Sequence, residues 1–141
     1  QKVQFTRSRP YHKNDNAHVE QKNWTHVRQL FGYDRIDQSQ LVGTMNDLYA
    51  NEWSLLQNFF HPSVKLTSKE RVNSKYKKKY DKPQTPYQRL MASDHISKEK
   101  KERLTQLFNS LNPFSIKKEI EQKLTCIFKD ISVTSNVRQR L

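Results

Sequence analysis

Apolar side chains recur every three or four positions along much of the chain, the spacing that places them on one face of a helix. The longest such run lies between Ser39 and Phe60, where leucine and aromatic side chains together form a wide apolar face. The same spacing predicts further helices over about residues 17–31, 85–91, 97–110 and 115–130. The sequence therefore predicts a mainly α fold.

Capping residues mark the predicted ends of these helices. Gly32 follows the first helix at a position where a residue without a Cβ commonly ends a helix. His61-Pro62 stops the long helix because proline lacks the backbone N–H that a helix interior needs. Thr85-Pro86 has the order of an N-cap and a first helical residue, and Asn112-Pro113 separates the last two helices.

One strand is predicted before the first helix. Residues 3–7 alternate apolar and polar side chains, and the alternation ends at a proline. The apolar stripe of the following helix consists of Ala17, Trp24, Val27 and Phe31. Glu20 falls on the same stripe, three residues after Ala17 and four before Trp24. An unpaired inward carboxylate is costly to bury, so Glu20 is expected to be ion-paired or to bind a metal.

The polar turn before this helix holds further candidates. Asp15 is expected to cap the helix, since it lies about 140° around the helix axis from Glu20 and is poorly placed to share a ligand with it. His12 and Lys13 are candidates for contacting DNA phosphates, and a solvated loop is the alternative for both. For Glu20, the residues alone leave open a salt bridge to Lys13 or Lys22.

The stretch from residue 63 to residue 83 is strongly basic, with eight lysine or arginine residues against two acidic ones. The even spacing of Tyr76 and Tyr80 is compatible with short extended pieces, and plain coil is the alternative. Lysines neutralise phosphates and tyrosine rings stack on bases, so we predict sequence-independent DNA contact here. A solvated, partly disordered segment is the alternative. The predicted DNA contacts are Lys65, Lys75, Lys77, Lys78, Lys79 and Lys82.

Charge and cysteine usage narrow the function classes. The formal net charge of +12 favours a polyanionic partner. A membrane partner is disfavoured because the basic cluster does not lie on an amphipathic helix and no apolar run approaches the roughly 20 residues of a membrane span. The single cysteine, Cys126, gives neither a disulfide framework nor a metal cluster. A cytoplasmic protein is expected, with Cys126 as a small buried hydrophobic side chain.

The segment Lys13–Asn23 resembles the last acidic motif of bacterial insertion-sequence transposases that have a retroviral-integrase-type catalytic core. In that family an asparagine-rich turn leads into a helix bearing Val-Glu, as the turn at residues 14–16 leads to Val19-Glu20 here. The resemblance continues in order through Asn58–Pro62, Lys78–Asp81, Thr85–Leu90 and Leu111–Pro113. The ordered set covers nearly the whole chain and is more specific than the glutamate motif alone.

This resemblance implies a domain organisation. Residues 1–37 would be the last strand and helix of a ribonuclease-H-like α/β core. A long helix at 38–62, a basic DNA-contacting linker at 63–84 and a helical C-terminal region at 85–141 would follow.

The resemblance also implies the family's reaction, which is metal-dependent phosphodiester cleavage and strand transfer in DNA transposition or integration. Glu20 would be the catalytic glutamate and the third ligand of a Mg²⁺ or Mn²⁺ site, in a homo-oligomer assembled on DNA. The family's two aspartates lie on strands upstream of this motif, so we expect this chain alone to be inactive. The alternative is a non-catalytic basic nucleic-acid-binding or assembly module from a truncated element, which has no use for Glu20.

Overall fold

The computed structural model describes residues 7–33 and 36–138, without the side chains of Lys13 and of residues 132–138. The chain divides into two compact units, Gln1–Asp37 and Gln38–Leu141. The prediction of a mainly α fold is confirmed, and the described residues add one two-stranded antiparallel sheet. The strand predicted at residues 3–7 lies outside the described part of the chain except for Arg7, because residues 1–6 are not described.

In its described residues the first unit contains one long helix, which we term α1 and which covers residues 17–31. A 3₁₀ turn at Lys13–Asn16 precedes it, and a π-helical turn at Trp24–Arg28 interrupts its α-helical hydrogen bonding. Gly32 follows with a φ of +73°, a value that glycine adopts without strain. The predicted end of this helix is therefore confirmed.

The predicted inward stripe of α1 is wrong at every position except Phe31, since Val27 is exposed as well. Ala17, Glu20 and Trp24 are exposed, and burial begins only at Leu30 and Phe31. Helical spacing of apolar residues indicates which side of a helix a neighbour would cover, but it does not supply that neighbour.

The second unit contains four further helices in its described residues. Helix α2 covers residues 39–60 and includes two π-helical turns, Tyr49–Trp53 and Leu56–Phe60. The other three are α3 at Pro86–Met91, α4 at Lys98–Ser110 and α5 at Pro113–Arg138. All four confirm the predicted helices, although α5 begins two residues earlier and ends eight residues later than the spacing of its isoleucines predicts.

Side-chain caps explain where three of these helices begin. Thr85 accepts a hydrogen bond of 3.1 Å from the backbone N–H of Gln88, whose side chain accepts one of 2.9 Å from Thr85 in return. Ser97 caps α4 in the simpler way, through the backbone N–H of Lys100. Asn112 accepts from the backbone N–H of Phe114 at 3.0 Å. The Asn-Pro pair therefore starts α5 as well as separating it from α4.

The core of the second unit lies between α2 and α5. Leu48 of α2 and Ile127 of α5 are both completely buried. The other buried apolar side chains of this interface are Leu41, Ile116, Ile120 and Ile131. Cys126 is exposed, so its predicted burial is wrong. The position next to Ile127 on a helix is turned about 100° away from the buried row.

An ion-pair cluster spans the same two helices. The ammonium of Lys123 lies beside the carboxylate of Asp47 and 2.7 Å from Oε2 of Glu52. These hydrogen bonds raise the pKa of Lys123 and lower the pKa of Asp47.

In the described part of the chain, no helix is both long enough and apolar enough to cross a membrane.

An aromatic cluster attaches the short helix α3 to its neighbours. The ring of Tyr87 in α3 lies 5.3 Å from Phe59 of α2 and 4.8 Å from Phe108 of α4, measured between ring centres. Phe60 of α2 lies 5.7 Å from Phe108. This packing fixes α3. That helix carries Arg89, which contacts the base of the two-stranded sheet.

Candidate nucleic-acid interface

The basic stretch between residues 63 and 83 is folded as a β-hairpin. Strand β1 is Leu66–Val72 and strand β2 is Lys75–Tyr80, paired antiparallel. Asn73 and Ser74 connect them, and Asn73 has a φ of +56°, a left-handed conformation that asparagine tolerates better than most residues with a side chain. The structure thus favours the predicted extended pieces over plain coil.

Pairing divides the hairpin into two faces, because successive side chains of a strand point to opposite sides. The face that we term the lysine face carries the pairs Ser68 with Lys79, Glu70 with Lys77 and Val72 with Lys75. The face that we term the tyrosine face carries Leu66 with Tyr80, Lys69 with Lys78 and Arg71 with Tyr76. A shift in register between Leu66 and Ser68 places Thr67 outside this pairing.

The two faces differ in charge. The lysine face has three lysines, and Glu70 stands directly across from Lys77. The tyrosine face has three cationic side chains and no carboxylate. There the ammonium of Lys69 lies 4.3 Å from the centre of the Tyr76 ring, within cation–π distance. Almost every side chain of both faces is exposed, so the hairpin presents its cations to solvent.

A clamp at its base connects the hairpin to α3. Asp81 accepts hydrogen bonds from Nη1 of Arg89 and from the backbone N–H of Lys65, both at 2.6 Å. Arg89 also donates through Nη2 to the carbonyl of Ser63 at 2.8 Å. The Arg89 side chain, followed by the Lys65 N–H, lowers the pKa of Asp81 below its ordinary value. An isolated two-stranded hairpin is marginally stable, and this clamp, together with the backbone pair of Ser63 and Gln84, ties the strands to the helical core.

Most of the predicted DNA contacts lie on or beside this hairpin. Lys75, Lys77 and Lys79 share the lysine face, and Lys78 lies alone among them on the tyrosine face. Lys65 and Lys82 flank the strands at the base and are exposed.

Two basic residues of the tyrosine face were absent from the predicted contacts. Lys69 and Arg71 both lie on β1, beside the tyrosine rings of β2. The signal that identifies them is the Asn73-Ser74 pair, since two turn-forming residues between two extended runs fix the register of a hairpin.

The candidates of the first unit have a different setting. Asp15 accepts two hydrogen bonds from the Arg9 guanidinium, at 2.9 and 3.0 Å, and one from the Arg9 backbone N–H at 3.0 Å. The Arg9 side chain lowers the pKa of Asp15. Asp15 does not cap α1, so that prediction is wrong. His12 is exposed, and the side chain of Lys13 lies outside the described part.

Glu20 is an exposed residue of α1, and the prediction that its carboxylate faces inward is wrong. It forms no ion pair with Lys22 or with any other side chain that the structure describes. An accessible carboxylate is a suitable ligand for Mg²⁺, which is usually held by one or two carboxylates together with substrate phosphates. Across residues 7–33 and 36–138, however, no three histidine, cysteine or acidic side chains come close enough to hold a metal ion. The three-carboxylate site of the resembled family is not assembled by these residues.

Comparison with known proteins gives one relative of limited coverage. No family model and no solved structure matches the chain. The chain is 42% identical over 89 residues to the uncharacterized protein y4rM of Sinorhizobium fredii. That match takes in 63% of this chain and 25% of the relative, so this chain spans about a quarter of the length of the protein it matches.

Proposed function

We propose that this chain is the DNA-binding C-terminal part of a DNA transposition or integration enzyme, and that its hairpin is the phosphate-binding element. The observation that carries the DNA-binding part is the hairpin itself. It exposes three cations on each face, and within the described residues none of them forms an ion pair. Because no carboxylate is paired with these cations, a phosphate can bind them without first breaking an ion pair.

Binding of this kind is sequence-independent and salt-sensitive. Each lysine that neutralises a phosphate releases condensed counterions from the DNA, so affinity falls with rising salt concentration. The clamp of Asp81 and Arg89 supports the proposal because it holds the cations in one place.

The enzymatic part of the proposal rests on the resemblance of Lys13–Asn23 and the later motifs to transposases. In this proposal the first unit is the end of a ribonuclease-H-like core, and the protein acts in the cytoplasm as a homo-oligomer on DNA. Glu20 supplies one carboxylate to a Mg²⁺ or Mn²⁺ site whose other two acids lie elsewhere in the polypeptide. Its exposed position leaves the carboxylate accessible to such a partner.

Fluorescence anisotropy of a labelled DNA duplex over a salt series tests the DNA-binding part. Replacing Lys77, Lys78 and Lys79 with alanine should weaken binding at low salt and reduce the slope of log affinity against log salt by up to about 3, roughly one unit per lost contact. The matched control replaces Lys98, Lys100 and Lys118, which are exposed lysines of α4 and α5. A control variant with the same loss would show that net charge, rather than the hairpin, attracts DNA. No binding of the unaltered chain at low salt would overturn the proposal.

A second candidate function is the non-catalytic binding or assembly module. The hairpin favours this candidate, because its exposed cations can bind phosphates without any metal site. Glu20→Gln distinguishes the two functions when strand transfer and DNA affinity are measured on a longer polypeptide that also carries the two aspartates of the family. Loss of strand transfer with unchanged DNA affinity supports the enzyme, whereas unchanged transfer, or the absence of such aspartates, supports the module.

A further inference from the structure

The tyrosine face has a composition that phosphate binding alone does not require. Its cations, Lys69, Arg71 and Lys78, alternate with the rings of Tyr76 and Tyr80. Tyr76 is 55% exposed and Tyr80 is 53% exposed, although aromatic rings are usually buried when a partner surface within the fold is at hand. Exposed rings interleaved with cations form the surface on which single-stranded nucleic acids bind, with bases on the rings and phosphates on the cations.

The geometry of the strand separates the two rings. Tyr76 and Tyr80 point to the same side of β2 and are four residues apart, which is about 13 Å between Cα atoms. Lys78 lies between them on β2, and Lys69 lies across from Lys78 on β1. The ammonium of Lys69 covers one face of the Tyr76 ring, so a base would stack on the opposite face of that ring and on the ring of Tyr80. The pair of cations lies between these two stacking positions, where the connecting phosphates would lie.

Stacking on a tyrosine also favours single-stranded over duplex DNA. In a duplex, each base is covered on both sides by its neighbours, so a ring gains contact only with bases that are unpaired or terminal. The lysine face lacks any aromatic side chain, and one of its lysines faces Glu70. The two faces are thus matched to different forms of the same polymer.

We infer that the tyrosine face binds an unpaired DNA strand, with bases stacked on Tyr76 and Tyr80 and phosphates held by Lys69, Arg71 and Lys78. This inference rests on the proposed DNA binding by the hairpin and adds its substrate class. A DNA-joining protein handles strand ends, and an unpaired strand is the form in which an end exposes its bases.

The test compares two probes on the 141-residue chain. One probe is labelled oligodeoxythymidine of about ten nucleotides, within the usual range of site sizes for single-strand binding, and the other is a blunt duplex of equal length. In the variant Tyr76→Leu with Tyr80→Leu, affinity for the single strand should fall by about 30-fold, which corresponds to the weakest usual stacking contribution of two bases. Affinity for the duplex should change by less than about twofold, because no charge is removed.

The matched control is Tyr76→Phe with Tyr80→Phe, which keeps both rings and removes only the hydroxyls. It should bind both probes like the unaltered chain, because stacking needs the ring face and not the hydroxyl. Unchanged duplex binding by the leucine variant serves as the check that its hairpin is folded.

A second comparison removes two charges from each face in turn. Changing Lys69 and Arg71 to alanine should weaken single-strand binding more than changing Lys75 and Lys77.

The outcomes separate this inference from the proposal beneath it. Single-strand affinity that is unchanged in the leucine variant, or lost equally in the phenylalanine variant, would overturn the inference. If duplex binding still depended on the hairpin lysines, the proposed function would stand without it. Equal loss for both probes in the leucine variant would show that the rings stabilise the hairpin instead of binding bases. Tighter binding of oligouridine than of oligodeoxythymidine would overturn the assignment to DNA.

Discussion

Asp81 links the hairpin to the helical core through a single carboxylate. It accepts from the Arg89 guanidinium of α3 and from the backbone N–H of Lys65 beside β1. Arg89 also reaches the Ser63 carbonyl, so one ion pair joins both sides of the hairpin base. The bonds exist in this form only while Asp81 is ionised, because a neutral carboxyl attracts the guanidinium far less.

We expect the hairpin base to loosen in acid. The folded pKa of Asp81 is lowered, so its contribution to stability is complete above the ordinary value of 3.8 and is lost as the pH falls through the folded pKa. Hydrogen exchange measured by NMR, corrected for intrinsic rates, should show the Lys65 amide losing protection below pH 3.8 before the Leu48 amide does. Asp81→Asn should remove this pH dependence, and the exposed Asp94→Asn should not.

The core amide makes this comparison specific. Asp15 and Asp47 also have lowered pKa values, so the whole chain loses stability in the same direction of pH. Parallel loss of protection at Lys65 and Leu48 would mean global unfolding, and would contradict a local role for Asp81.

Single residues were predictable where the cause is local. Thr85 and Pro86 identify a helix start because the cap and the first helical residue act within four positions. Glu20 and Cys126 were assigned to buried positions because they neighbour apolar residues, and both are exposed. Burial depends on what packs against a helix, and that information lies at distant positions in the sequence.

At the scale of elements, the sequence identifies helices better than it identifies the hairpin. The span of α2 from Ser39 to Phe60 follows from its apolar spacing, which a buried face imposes. Neither strand of the hairpin has a buried face, so no alternation of apolar and polar residues could separate strand from coil. The π-helical turns within α2 were not predicted either, because one inserted residue barely alters the composition of a wide apolar face.

The turn at Asn73 permits a test of the hairpin as a structure and not only as a charge. Asn73→Ala removes no charge, but alanine pays about 1 kcal/mol for a left-handed backbone. Since only the folded hairpin presents its cations together, apparent DNA affinity should fall by up to about fivefold. Asn73→Gly adopts the same backbone without strain and should bind like the unaltered chain.

Anisotropy with the duplex probe measures both Asn73 variants under one salt condition. Equal affinity of the alanine and glycine variants would show that a flexible basic segment binds as well as an ordered one. The alternative of a solvated segment would then describe the DNA contact better than the hairpin does.

At the scale of the whole molecule, the net charge of +12 predicts the class of partner but not where it binds. Lysines occur throughout the second unit, and several of those in α4 and α5, among them Lys98, Lys100 and Lys118, are exposed like those of the hairpin. What distinguishes the hairpin is its density of cations and its attachment to α3. That attachment follows from contacts between residues 63–65, 81 and 89, which sequence spacing does not reveal.

The attachment makes DNA binding depend on a core that DNA does not touch. Leu48 is fully buried between α2 and α5, so Leu48→Ala should lower the free energy of unfolding by about 2 to 5 kcal/mol through lost contacts and a residual cavity. Val42→Ala on the exposed side of α2 should change it by less than about 0.5 kcal/mol. Urea denaturation followed by far-UV circular dichroism measures both.

In buffer without urea, Leu48→Ala should keep its affinity for duplex DNA, and in urea it should lose binding at the same concentration at which its helices unfold. The reason is that α3 is packed on α2 through Tyr87 and Phe59 and holds the hairpin through Arg89. DNA binding that persists after the helices have unfolded would show instead that the basic segment needs no folded support.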